Sequence, residues 1–373
     1  MNLARSILAT ALALPSLADG KTAPHPEFVY ATHRILGGAF VSALRANPDT
    51  GQLTPVPGTP FASIDFSWDV KVDRHNRFAF VTETQPAALS VFRIAPATGA
   101  LTLASVSPFG FDPRGLALHP TRPFLYAADI DSELHGRRFD EATGQPAPIP
   151  GSPFVGPNLA SGIVVHPTGR FLYVVELQTF SGSFDGSVWS YAIDDATGAL
   201  SPIGAPLPTG VRTRGLAIDP DGRHLYAANG DSASVSVFSI DGDSGLLTPL
   251  GAPAAAPADV RTLLLSRDGR FLYAVTRAGH ALVTYARDAA TGALAPQGAS
   301  LDLPASPEHA ALDCSGRLLY VAHGDPVNRV SVVRVDPANG AVALSGGSAL
   351  PQAATYGIGT TTFGCAPGGI SRR

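Results

Sequence analysis

Charge is scarce in this 373-residue chain: Asp, Glu, Lys and Arg make up 15% of it, and the formal net charge is −4. That balance provides no basic surface for nucleic acid and no cationic face for an anionic membrane, so neither partner is expected. Lysine is nearly missing. It occurs only at Lys21 and Lys71, and every other basic residue is Arg. Arg is the better fork for carboxylate or phosphate, although a GC-rich genome, also consistent with the abundant Ala, Gly and Pro, produces the same bias. Cysteine is limited to Cys314 and Cys365. In an exported protein such a pair reads as a disulfide, with two buried thiols as the alternative. Helical periodicity is nowhere sustained beyond the N-terminal segment, and no apolar run there is long enough to span a bilayer. Phosphate-cradling Gly loops, paired His at zinc spacing and a Gly-x-Ser-x-Gly elbow are also missing, so no cofactor and no metal are expected.

What the chain does have is Gly (39) and Pro (33), a composition suited to many tight turns. Residues 1–18 read as a secretory signal peptide: Arg5 precedes the apolar run Ile7–Leu14, and Ser16-Leu17-Ala18 supplies small residues for cleavage. A periplasmic or secreted, soluble, monomeric protein is the resulting expectation.

A phrase then recurs seven times. An aromatic closes a short apolar strand at Tyr30, Phe80, Tyr126, Tyr173, Tyr226, Tyr273 and Tyr320. A Thr-Gly-type turn follows about 20 residues later, at Gly51, Gly99, Gly144, Gly198, Gly245, Gly292 and Gly340. Strand-like sequence at that period predicts an all-β, seven-bladed β-propeller with four-stranded blades, occupying 26–366 as a single domain, with a flexible tail at 367–373. Six units are complete. The seventh is split, with Phe28–Phe61 supplying three strands and Ala354–Phe363 a spare one, so the C-terminal strand is expected to close the N-terminal blade. This closure would bring Cys314 and Cys365 to one face and favour a bridge between them.

In a propeller the chain enters each inner strand and leaves each second strand on the same face. The entry circle is Trp68, Arg114, Ser161, Arg214, Arg261, Glu308 and Tyr356; the exit circle is His33, Glu83, Asp129, Glu176, Asn229, Thr276 and His323. Arg114, Arg214 and Arg261, with Glu83, Asp129 and Glu308, form the candidate binding set for an anionic small molecule. A carboxylate or a His of this face could activate water, with Glu176, which stands out beside a longer loop, and His309 as the candidates. Mutual ion pairing of these charges is the competing explanation. The segment Gln178–Ser187 beside Glu176 reads either as a lid or as a surface insertion. His119 and His166 read as turn residues on the far face. Asp129-Ile-Asp-Ser-Glu133 alternates oxygen donors but lacks the glycine and spacing of a Ca²⁺ loop.

The phrases His-Pro-Thr-Gly-Arg-Phe-Leu-Tyr (166–173), Thr-Gly-Ala-Leu (197–200) and Gly-Ser-Pro-Phe (151–154) resemble the seven-bladed lactonase propeller family, which includes propeller-type 6-phosphogluconolactonases and carboxymuconate cyclases. The resemblance implies hydrolysis of a lactone or related ester of an acidic small molecule. It also implies site roles: Glu176-Leu177 resembles the family's Glu element, Arg114 and Arg214 its Arg, and His309 keeps its His position. Gly115 and Gly215 stand where that family's His would follow, and Ser161 where its Arg would be. A non-catalytic propeller binding a ligand or protein on its channel face is the alternative expectation.

Overall fold

The computed structural model describes residues 27–33, 39–64, 66–110, 112–177, 185–324, 327–350 and 355–360. The expected signal peptide, the tail and most of the 178–187 segment lie outside the described residues. Those described form seven antiparallel sheets and, among them, no helix. In chain order, the complete blades have inner strands Ser67–Val72, Pro113–Leu118, Ala160–Val165, Thr213–Ile218, Val260–Leu265 and Pro307–Leu312. The remaining blade is built as expected: Thr355–Thr360 pairs as its inner strand with Glu27–His33, which pairs in turn with Phe40–Ala46 and then Leu53–Pro55. Closure removes two sheet edges that would otherwise be exposed.

Burial follows strand position. Second strands such as Phe171–Glu176 and His224–Asn229 are buried along their whole length, because neighbouring blades cover both faces. Outer strands such as Leu101–Pro108 are exposed at most positions. The apolar core is correspondingly divided into seven clusters, one at each interface between adjacent blades, with no shared centre.

Four members of each sequence series turn out to be halves of one contact. The hydroxyls of Tyr30, Tyr126, Tyr173 and Tyr226 donate to the carbonyls of Gly99, Gly198, Gly245 and Gly292, each in the next blade, at 2.8–3.0 Å. At Gly245, φ is +72°, and a Cβ would lie 2.4 Å from the Phe171 ring of the preceding blade. The turn therefore needs glycine both for its backbone and for its neighbour. On the same face His119 and His166 serve as turn residues, their ring nitrogens lying 3.0 and 2.8 Å from the carbonyls of Gly169 and Gly222.

Candidate active site

A β-bulge or register shift interrupts every inner-strand pairing at the same end, between Ser67 and Val70 in one blade and between Thr213 and Leu216 in another. The extra residue is the entry residue or its neighbour, and a bulge re-aims such side chains. Here they are aimed at the axis, where the inner strands enclose a cavity of about 300 Å³. Trp68, Arg114, Ser161, Arg214, Arg261 and Glu308 all line it, as expected for the entry circle, and His309 joins them. The expected seventh member, Tyr356, has a side chain outside the described ones.

The exit circle is placed differently. Each exit residue pairs with the residue just before an entry position, for example Glu83 with Ser67, Asp129 with Pro113 and Glu176 with Ala160. Its side chain therefore lies on the sheet face away from the entry residue. Glu83, Asp129 and Glu176 are buried there and do not line the cavity. Glu176 accepts hydrogen bonds from the Asn158 amide at 3.3 Å and the Ser187 hydroxyl at 2.7 Å, while the adjacent Leu177 reaches the cavity. Glu83 accepts from the hydroxyls of Ser63 and Ser67, and burial raises its carboxyl to about 7. These carboxylates tie the mouth of each blade together; the structure does not bring them to the arginines.

Within the cavity the arginines have unequal partners. Arg114 is held by Asp112 at 3.0 Å and stacks over Trp68, 5.1 Å from the ring centroid. Arg261 is gripped by Asp259 at 2.8 Å and lies 3.6 Å from Glu308, which also pairs with Arg277 at 2.8 Å. Burial raises the Glu308 carboxyl, and Arg261 and Arg277 oppose the rise. Arg214 has no side-chain hydrogen bond or salt bridge among the described residues, and its Nε is buried without a partner. Burial and the adjacent Arg261 push its guanidinium down to about 10, so it remains charged at neutral pH.

His309 lines the same cavity, next to Glu308. Burial pushes its imidazole down to about 4; Asp69 works against that shift, while Lys71, Arg261 and Arg214 reinforce it. It is therefore neutral near pH 7. Asp69 and Lys71, themselves paired at 2.9 Å, also line the cavity and were not among the residues singled out from sequence. The available signal was Lys71 itself, one of only two lysines and set on an inner strand. Lining side chains thus comprise four cations (Lys71, Arg114, Arg214, Arg261) against two carboxylates (Asp69, Glu308), an arrangement suited to an anion.

Glycine shapes the cavity wall. A Cβ at Gly115 or Gly215 would lie 2.6 Å from the carbonyl oxygen of Ser161 or Arg261 in the next blade. No side chain fits there without separating the inner strands, so the His expected after each Arg is excluded sterically in this ring.

Cys314 lies in the turn between Pro307–Leu312 and Leu318–His323. Its expected partner, Cys365, lies outside the described residues.

Among solved structures, the fold is similar to a periplasmic gluconolactonase of Pseudomonas aeruginosa (TM-score 0.76, 21% identity, covering 90% of this chain and 99% of that one). It is also similar to a candidate 6-phosphogluconolactonase of Bacteroides uniformis (TM-score 0.78, 18% identity, covering 91% and 100%). A 6-phosphogluconolactonase of Pectobacterium carotovorum is 30% identical over 130 residues, which are 34% of this chain and 39% of that relative's length. The family model described as "Lactonase, 7-bladed beta-propeller" matches residues 110–264 and 258–355. With that match spanning more than half of its length, the chain belongs to the seven-bladed β-propeller lactonase family.

Proposed function

We propose that the protein hydrolyses a lactone or related ester of an acidic small molecule in its central channel. The observation that carries this reading is the half-buried guanidinium of Arg214, without a side-chain partner among the described residues, sharing the central cavity with a neutral imidazole, His309. Arg114 and Arg261, already braced by Asp112 and Asp259, would bind the substrate's anionic group. Arg214 would polarise the ester carbonyl. His309 would take a proton from water as the water oxygen bonds to the carbonyl carbon, and Arg214 would neutralise the resulting oxyanion. Collapse of the tetrahedral intermediate breaks the ring C–O bond, and the leaving alkoxide recovers the proton from His309. The product is the open hydroxy acid. Glu176, the base expected from sequence, would instead act at one remove, holding the Asn158 amide and Ser187 beside Leu177. Lactonase names among the relatives support the reaction class, and the periplasmic gluconolactonase, together with the signal-like N-terminus, supports export.

The test is turnover against a panel of aldonic and other acidic lactones, corrected for spontaneous opening. Arg214→Gln is expected to lower kcat/KM by roughly 100-fold or more, the usual cost of losing an oxyanion donor. Saturable binding of hydroxy acids with no turnover of any lactone would favour the non-catalytic reading, for which the many braced ion pairs in the channel already speak.

A further inference from the structure

A second cluster of chemistry-bearing side chains lies outside the channel, on the hairpin formed by Phe124–Asp129 and Asp131–Phe139. Because Ala127 pairs with His135, residues 129, 133 and 135 share one face of this hairpin. Ligand atoms of Asp129, Glu133 and His135 all lie within 4.8 Å of one another. His135 Nε2 is 3.4 Å from Asp129 Oδ2 and 3.4 Å from Glu133 Oε2. His135 is only 4% exposed, yet its Nε2 makes no hydrogen bond. A buried ring nitrogen aimed between two carboxylates without bonding to either is a costly arrangement unless something sits between them.

The surroundings hold that space open. The crossover from the preceding blade passes over the cluster at Gly110, where a Cβ would lie 3.0 Å from Glu133 Oε2 and 3.1 Å from His135 Nε2. Any larger residue would therefore fill the space between the donors and the crossover. Phe109 packs on the His135 ring at 5.2 Å between centroids and fixes its tilt. Asp129 is fully buried, whereas Glu133 is 44% exposed, which leaves an entry route from solvent.

We propose that Asp129, Glu133 and His135 form a binding site for a divalent transition metal ion, with zinc as the best match. One imidazole and two carboxylates suit zinc, whereas calcium favours six to eight oxygen donors. The two separations from His135, both 3.4 Å, match the edge of a tetrahedron with metal–ligand bonds of about 2.0–2.1 Å, and the third lies within 4.8 Å. Three protein ligands leave a fourth position for water. The ion would cross-link the two strands of the hairpin beneath the crossover at Gly110. This assignment departs from the sequence reading, in which Asp129 belonged to the substrate set and no metal was expected, and it does not depend on the channel chemistry.

The test uses full-length, untagged, chelator-treated protein titrated calorimetrically with zinc near neutral pH. One zinc per chain is expected. Replacing the half-exposed ligand, Glu133→Gln, should weaken binding by at least about tenfold while leaving the circular dichroism spectrum and channel activity of the metal-free protein unchanged. Cobalt(II) should give the intense visible absorption of a four-coordinate site, and Glu133→Gln should abolish it. His135→Asn should behave likewise; if that variant fails to fold, Glu133→Gln decides. Failure of the wild type to take up zinc, or equal uptake by Glu133→Gln, overturns the proposal.

Discussion

At the scale of single residues, the channel depends on which side chains have partners. Arg114 and Arg261 each have a dedicated carboxylate, but Arg214 has none among the described residues, so it can answer a substrate without first breaking a bond. His309, pushed down to about 4, is deprotonated and able to accept a proton at any pH well above that value. The rate of lactone opening should therefore be flat near neutrality and fall as pH drops through about 4, where the base becomes protonated. His309→Gln should lower the plateau and remove that acidic limb; a limb that survives the substitution would place the base elsewhere. Six of the channel-lining residues could be named from the repeat alone, because entry position is a matter of counting along each blade. The exit residues could not be placed by the same count. Glu176 and Glu83 sit one pairing step from the entry residues, and one step in a strand reverses the face.

At the scale of strands and turns, glycine and aromatic positions constrain each other across blades. Gly245→Ala would force a left-handed backbone and push a methyl group into Phe171, costing roughly 2–4 kcal/mol. Gly251 provides the control. It has φ +62°, but no atom lies within 4 Å of where a Cβ would sit, so Gly251→Ala should cost only the backbone share, about 1–2 kcal/mol. Urea denaturation of the two variants measures the difference, and equal losses would mean that the blade-to-blade contact contributes little. The turn glycines were legible in the sequence as turn signals. Their second duty, accepting a hydroxyl from an aromatic about 70 residues earlier, was not, since no local pattern encodes it.

At the scale of the whole molecule, the ring is held by the pairing of Thr355–Thr360 with Glu27–His33. Cys314, in the last complete blade, and Cys365, five residues after the closing strand, are positioned in sequence to lock that closure covalently. Non-reducing peptide mapping of the protein purified without reductant should recover the two cysteines in one linked fragment. Reduction should lower stability by about 4 kcal/mol for a loop of about 50 residues; two alkylatable thiols in the native protein would rule the bridge out. The sequence by itself determined the ring, its seven blades and its closing strand, because strand alternation and turn chemistry are local and each unit of about 45–54 residues repeats them. Only the tertiary structure decided which charges meet. Residues from Trp68 to His309 converge because bulges turn the entry residues toward the axis, while the neighbouring exit residues turn between the blades. Hairpin pairing sets His135 beside Asp129 and Glu133, but only packing lays Gly110 of the crossover over them. Such juxtapositions arise from packing between distant segments, and a repeat that specifies each blade separately carries no record of them.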